Sequence, residues 1–328
     1  NSKSISKFSF LFLGMRREAI FYGSKYGHNI QKLFSDRQQG LLPKVLYTYA
    51  SGFYGEMVII MQDLTKTKSV GINLILGNQV WGVKEEVKPK RDKAETLEKM
   101  YIAAAEYHAA YWMDKSLFNS TWLKGTNWYN VKDVSQYSVG RLQWELAMDT
   151  SIRCWAKTKQ ILKTNNDLKF SSKLISIIDN SYLNTSWAKF QAHIRKPTTP
   201  YSLCHGDFHA SNSMLVRNAN DDDDDVVMFD WAEVGVFEPT GDLAQTIVSD
   251  VRPEVFIPIT KDILKKYYDH LSIKLVEHGK YKSISEFQEA YPFESWCWKS
   301  FVFGGIERWI WIFPLLIGMN FGLPNNAI

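Results

Sequence analysis

Residues 201–230 read YSLCHGDFHASNSMLVRNANDDDDDVVMFD. Three polar side chains in that stretch decide the reading. Asp207 and Asn212 lie five residues apart on one loop, and Asp230 ends a short apolar run. A carboxylate can take the proton of an attacking hydroxyl, whereas an amide oxygen and a second carboxylate are ligands for a hard divalent cation. Phosphoryl transfer asks for that set, a base beside the hydroxyl and oxygen ligands for magnesium beside the phosphates. Asp207 is therefore expected to be the base, with Asn212 and Asp230 as magnesium ligands. Tyr201, Leu203 and Cys204, then Met214 to Val216, then Val226 to Phe229, read as three short strands that fix the loop on a rigid base.

The neighbours of these residues carry plainer readings. His205 is expected to brace the loop by a hydrogen bond, and His209 is assigned no role. Glu233 follows the metal aspartate and could reach the metal or the substrate. The acidic run Asp221–Asp225, with Asn218 and Asn220, reads as the solvated tip of a hairpin rather than a calcium site, because blocks of like charge stay hydrated. A competing reading takes His205, Asp207, His209 and Asp230 as a hydrolase metal cluster. It leaves Asn212 and the segment GDLAQ (241–245) without a purpose.

The segments LCHGDFHASNSMLV (203–216) and VVMFDWAEVGVFEPTGDLAQTIVSDV (226–251) resemble the aminoglycoside-phosphotransferase and choline-kinase superfamily, in its CHK kinase-like branch, which includes ecdysteroid kinases. AAAEYHAAYW (103–112) resembles the helix that the family places before its catalytic core. REAIFY, LLPKVLYTYA and MVIIMQDL resemble the later part of its small lobe. The resemblance implies an α+β, protein-kinase-like, two-lobed fold, with ATP and Mg2+ as cofactors and transfer of the terminal phosphate to a hydroxyl of a small molecule. It implies that Glu18 is the helix carboxylate that holds a phosphate-binding lysine. It places Asp63 and Leu64 at the hinge that receives the nucleotide, and it makes Asp242 a holder of the catalytic loop, beside its ordinary reading as a helix cap.

Composition agrees with a globular enzyme. An apolar fraction of 45% and a charged fraction of 23% are ordinary for such proteins. A net charge of +4 with no basic run suggests no nucleic-acid partner. The cysteines Cys154, Cys204 and Cys297 are odd in number and lack metal-type spacing, which points to reduced thiols and a cytoplasmic setting. Phe8–Met15 reads as a buried strand. Trp309–Phe321, which holds Pro314 and Gly318, reads as a buried helix, so no membrane partner is expected.

Elsewhere the pattern gives a helix over 14–34, strands over 41–50 and 56–62 joined by a turn at 51–55, and an irregular stretch over 65–89. Helices follow over 93–112, 140–163, 170–195, from about Leu243, and over 260–278, 284–291 and 295–318. His108 is expected to be a satisfied core histidine. The tryptophans Trp296, Trp298, Trp309 and Trp311 read as core packing first, and as walls of an acceptor pocket second. Glu294 and Glu307 nearby would favour a cationic acceptor.

The division expected is a small lobe with hinge over 1–64 and a large helical lobe over 65–328. The seventeen residues before Glu18 hold no glycine-rich loop, and the chain opens without methionine. The expectation is thus a small lobe lacking its front strands, with Lys7 the alternative phosphate-binding cation. A catalytically inactive pseudokinase that serves as a binding module is the second functional reading. The sequence sets neither the acceptor nor the oligomeric state.

Overall fold

The computed structural model describes residues 16–37, 39–51, 56–76, 92–165, 169–217, 224–306 and 312–318. The expected strand at Phe8–Met15, Lys3, Lys7, the hairpin turn at 52–55, Asn218, Asn220, Asp221 to Asp223, Glu307, Trp309 and Trp311 lie outside them.

The chain opens with two short helices, α1 (Arg17–Gly23) and α2 (Lys25–Leu33). A single helix was expected here. It breaks at Ser24, whose extended backbone and side chain cap α2 by accepting the amide of Tyr26 at 3.1 Å. Strands β1 (Val45–Ser51) and β2 (Glu56–Met61) form an antiparallel pair, with Tyr47 facing Ile60 and Tyr49 facing Val58.

The stretch after residue 65, expected to be irregular, holds β3 (Ser69–Gly71) and α3 (Ile72–Leu76). The long α4 (Lys93–Ala110) is capped by Asp92, which accepts the amide of Glu95 at 2.9 Å. Next come α5 (Thr126–Tyr129), α6 (Val139–Thr164), α7 (Ser172–Asn184) and α8 (Trp187–Ile194). The helix expected over 170–195 is two helices, because Ser186 turns extended and caps α8 through the amide of Lys189.

The region read first supplies four strands: β4 (Ser202–Cys204), β5 (Ser213–Arg217), β6 (Asp224–Met228) and β7 (Gly235–Phe237). They pair as β3-β5-β6 and as β4-β7, all antiparallel. Asp224 and Asp225 are therefore buried strand residues rather than a wet hairpin tip. Asp225 Oδ2 accepts the amide of Gln39 at 3.3 Å, and Asp224 lies 3.8 Å from the Arg217 guanidinium.

The chain closes with helices α9 (Thr240–Asp250), α10 (Pro253–Glu277) and α11 (Ile284–Ala290), then two wide π-type segments, Phe293–Trp298 and Ser300–Ile306, and α12 (Ile312–Gly318). Gly318 lets α12 lie directly on Cys154 of α6, where a Cβ would come 2.6 Å from the Cys154 carbonyl oxygen. The result is an α+β molecule of small sheets and many helices, as expected.

The main apolar core joins most of these parts, with smaller clusters around Leu64 and around Trp155. The main core runs from Phe21 and Tyr26 through Met100, Tyr107 and Trp112 to Trp231, Leu264 and Trp296. Trp296 packs edge-on against Trp112, with ring centroids 5.4 Å apart, and is core rather than pocket wall. Trp298 stacks on Phe301 at 6.1 Å. Glu294 forms a surface ion pair with Lys261 at 2.7 Å. No helix among the described residues is long and apolar enough to cross a membrane.

Candidate active site

Two ladders bring the site together. The loop 205–212 runs from β4 to β5, and the turn 229–234 runs from β6 to β7. Because β4 pairs with β7 and β5 with β6, loop and turn emerge side by side. The Phe229 amide donates to the Asn212 carbonyl at 3.0 Å and closes the gap between them. His205 completes the closure. Its Nε2 sits 3.0 Å from the Phe229 carbonyl, and its Nδ1 accepts the Asp207 amide at 3.3 Å. Those partners require a neutral ring with the proton on Nε2. Burial pushes His205 below its ordinary value in the same sense. The bracing role expected for His205 is what the geometry shows.

Gly206 makes the close approach possible. Its φ is +82°, and a Cβ there would lie 2.0 Å from the Glu233 carbonyl oxygen. Asp230 is also left-handed, with φ 60° and ψ 60°, a conformation that a non-glycine residue holds only under constraint. The twist leaves Asp230 exposed at the mouth of the loop.

Asp207 is half-buried and gripped at both carboxylate oxygens. Oδ1 accepts Gln245 Nε2 at 2.5 Å. Oδ2 accepts Asn212 Nδ2 at 3.2 Å and faces His209 Nε2 at 3.4 Å. Burial alone would push the Asp207 carboxyl up. The His209 hydrogen bond and charge, with Gln245 and His205, outweigh it and hold the group well below the usual carboxylate range. Reciprocally, burial lowers His209 but the Asp207 partner more than restores it, so its value is raised. Asn212 also donates Nδ2 to the Asp207 carbonyl at 3.0 Å. Both its amide hydrogens are thus committed, and Oδ1 is the atom left over. An amide oxygen on the loop and an exposed carboxylate on the adjoining turn are both oxygen donors, a type that fits a hard cation such as magnesium.

Helix α9 anchors the loop from behind. Asp242 Oδ2 accepts the His205 amide at 2.7 Å, and Oδ1 accepts the Gly206 amide at 2.9 Å. Asp242 caps the loop and makes no cap for its own helix, whose N-cap is Pro239. His108 of α4 stands behind it, with Nε2 3.5 Å from Asp242 Oδ2 and Nδ1 3.0 Å from the Tyr267 hydroxyl. Burial pushes His108 below its ordinary value, so a neutral ring faces an ionised Asp242.

Farther along α9, Thr246 Oγ1 donates to the Phe208 carbonyl at 2.6 Å, and Asp250 Oδ2 accepts the Ala210 amide at 2.8 Å. Burial pushes the Asp250 carboxyl up to about 6. Gln245, Thr246 and Asp250 escaped the sequence reading. Counted from Asp242, Gln245 lies three residues on, Thr246 four, and Asp250 four beyond Thr246, and that recurrence on a single helix face was the available signal.

Glu18, on α1, meets the turn from the other side. Burial pushes its carboxyl above the ordinary value, and the Asp230 charge adds to the push, while Tyr22 and the backbone amides of Trp231 and Asp230 offset part of it. Helix α1 is held there by Phe21 stacked on Trp231, centroids 4.4 Å apart, and by Arg17 donating to the Trp122 carbonyl at 3.0 Å. Glu233 belongs to that fastening. It pairs with Arg17 at 3.5 Å and with Lys124, so it serves as a strut and not as a metal or substrate ligand.

Leu64 packs with Val216 and Val227 on the sheet that delivers Asp230, and its carbonyl accepts the hydroxyls of Thr67 and Ser69 at 2.6 and 2.8 Å. Asp63 Oδ1 accepts the Thr65 amide at 3.0 Å and caps the short turn that follows.

The proposed hydrolase cluster is not formed. Among the described residues the group of three possible metal ligands is instead His108, Cys204 and Asp242, with ligand atoms within 4.8 Å of one another. It is buried behind the loop, with Asp242 committed to the loop amides. The sequence model described as the ecdysteroid kinase-like family matches residues 88–280, more than half of the chain. That span includes Asp207, Asn212, Asp230 and Asp242. A search of curated proteins finds no match.

Proposed function

The chain belongs to the ecdysteroid kinase-like family, and from that premise we propose that it is an ATP- and magnesium-dependent phosphotransferase acting on a hydroxyl of a small molecule. The observation that carries the reading is the division of labour within one loop. Asp207 is held ionised and gripped at both oxygens, Asn212 keeps its Oδ1 outside those contacts, and Asp230 stands exposed on the adjoining turn.

In this reading Asp207 accepts or orients the proton of the acceptor hydroxyl as its oxygen turns nucleophilic. Asn212 Oδ1 and Asp230 would hold magnesium, which would supply positive charge to offset that of the phosphates. Asp63 and Leu64 flank the nucleotide at the hinge, which puts the boundary of the small lobe near residue 64. Glu18 orders the phosphate end of the site from α1. Three cysteines without a disulfide accord with a cytoplasmic setting.

Thermal-shift titration with Mg-ATP tests the nucleotide half. Wild type is expected to be stabilised, and Asp230→Ala to lose that stabilisation. The chemical half is tested by Asp207→Ala, which should still be stabilised by Mg-ATP yet turn over at least about a hundredfold more slowly. Undiminished turnover by Asp207→Ala would overturn the assignment. No response to millimolar Mg-ATP would favour a binding module instead.

A further inference from the structure

Four side chains of α9 face the loop: Asp242, Gln245, Thr246 and Asp250. Asp242, Thr246 and Asp250 grip loop backbone. Gln245 reaches the functional carboxylate itself, with Nε2 2.5 Å from Asp207 Oδ1.

The donors on Oδ2 differ in origin. His209 and Asn212 belong to the same loop as Asp207 and move with it. A carboxylate held at one oxygen can swing about its terminal torsion, whose energy well is broad. A donor on the other oxygen, carried by a separate buried helix, removes that swing. Stability does not explain the choice of residue. Gln245 is only 4% exposed, and its Oε1 is buried without a hydrogen-bond partner among the described residues. An apolar side chain of the same length would avoid that destabilising orphan. What glutamine supplies and such a side chain cannot is the amide donor.

We propose that Gln245 is a positioning residue, which fixes the orientation of the Asp207 carboxylate toward the acceptor hydroxyl. Its effect on rate rests on the phosphotransferase reading, whereas the contact itself does not.

The test is a cycle of Gln245→Met and Asp207→Ala, with Mg-ATP as substrate and water as the acceptor. Met keeps length and volume and removes the donor. Gln245→Asn, one methylene shorter, replaces it should Met not fold, and the same pattern is expected. The single Gln245 variant should lower kcat about ten- to hundredfold, the rate equivalent of a charge-assisted hydrogen bond, with KM for ATP unchanged. In the Asp207→Ala background it should have no further effect. A wild-type rate, or the same loss in both backgrounds, would overturn the proposal, the latter marking a merely structural side chain.

A second readout needs no turnover. The side-chain amide NMR signals of Gln245, assigned by their loss in Gln245→Met, should shift in Asp207→Ala and stay in place in Asp230→Ala. Wild type that hydrolyses no ATP would count against the phosphotransferase reading, and the NMR signals would then decide the Gln245 contact alone. Signals unmoved by Asp207→Ala would overturn it.

Discussion

At Gly206 two demands meet in one residue: a left-handed backbone, and a neighbour's carbonyl oxygen 2.0 Å from where a Cβ would be. Gly206→Ala should therefore lose at least about 1–3 kcal/mol of stability. It should also lift the loop from the Glu233 turn and weaken Mg-ATP stabilisation. Chemical denaturation and thermal-shift titration check the two effects separately. The candidate residues at this scale were legible, because Asp207, Asn212 and Asp230 stand out by residue type and spacing. His108 was rightly placed in the core, though nothing in its helix showed that it faces Asp242. Glu233 was misread, since a carboxylate three residues after Asp230 looks the same in sequence whether it faces a metal ion or, as here, Arg17 and Lys124.

Helix α9 is the element that fixes the loop 205–212 from behind. Its carboxylates pull the pH dependence of folding in opposite directions. Asp242 is held below its ordinary value, so its contribution is present at neutral pH and lost as pH falls through its folded value. Asp250 is raised from 3.8 to about 6. The folded chain binds that proton more tightly than the unfolded chain, so its contribution is greatest in acid and lost as pH rises through about 6.

Asp250→Asn keeps an acceptor for the Ala210 amide and cannot ionise. Between about pH 4 and 6 its stability should fall less than that of wild type, with a gain on the order of 3 kcal/mol above that window. Denaturation midpoints across the range measure it, and parallel curves for the two proteins would refute it. Helices as such were readable from periodicity. Their breaks at Ser24 and Ser186 were not, because serine is tolerated inside a helix, and neighbouring packing settles whether it caps a new one.

Across the whole molecule, Trp231 is the junction. It stacks on Phe21 of α1, meets Tyr107 of α4 with centroids 5.5 Å apart, and lies 4.4 Å from the His205 ring. Trp231→Ala should lower stability by about 3–5 kcal/mol and also weaken Mg-ATP binding, since it loosens α1 from the turn that carries Asp230. Trp296→Ala removes an equally large side chain from the cluster around Trp112, remote from the loop. It should cost a similar stability with nucleotide affinity intact. Equal losses of affinity in both variants, by titration, would show that Trp231 has no special coupling.

Residue type and spacing were enough to indicate the family, the strands that carry the candidate loop and the helical character of the remainder. These are local properties, set by side-chain donor atoms and by hydrophobic period. Tertiary structure alone decided that Gln245 grips Asp207, that Asp250 holds Ala210, that Asp224 and Asp225 are buried, and that Glu233 is a strut. Each of those depends on which face of an element turns toward a segment distant in sequence. That orientation follows from packing the entire core at once, and no single stretch of chain encodes it.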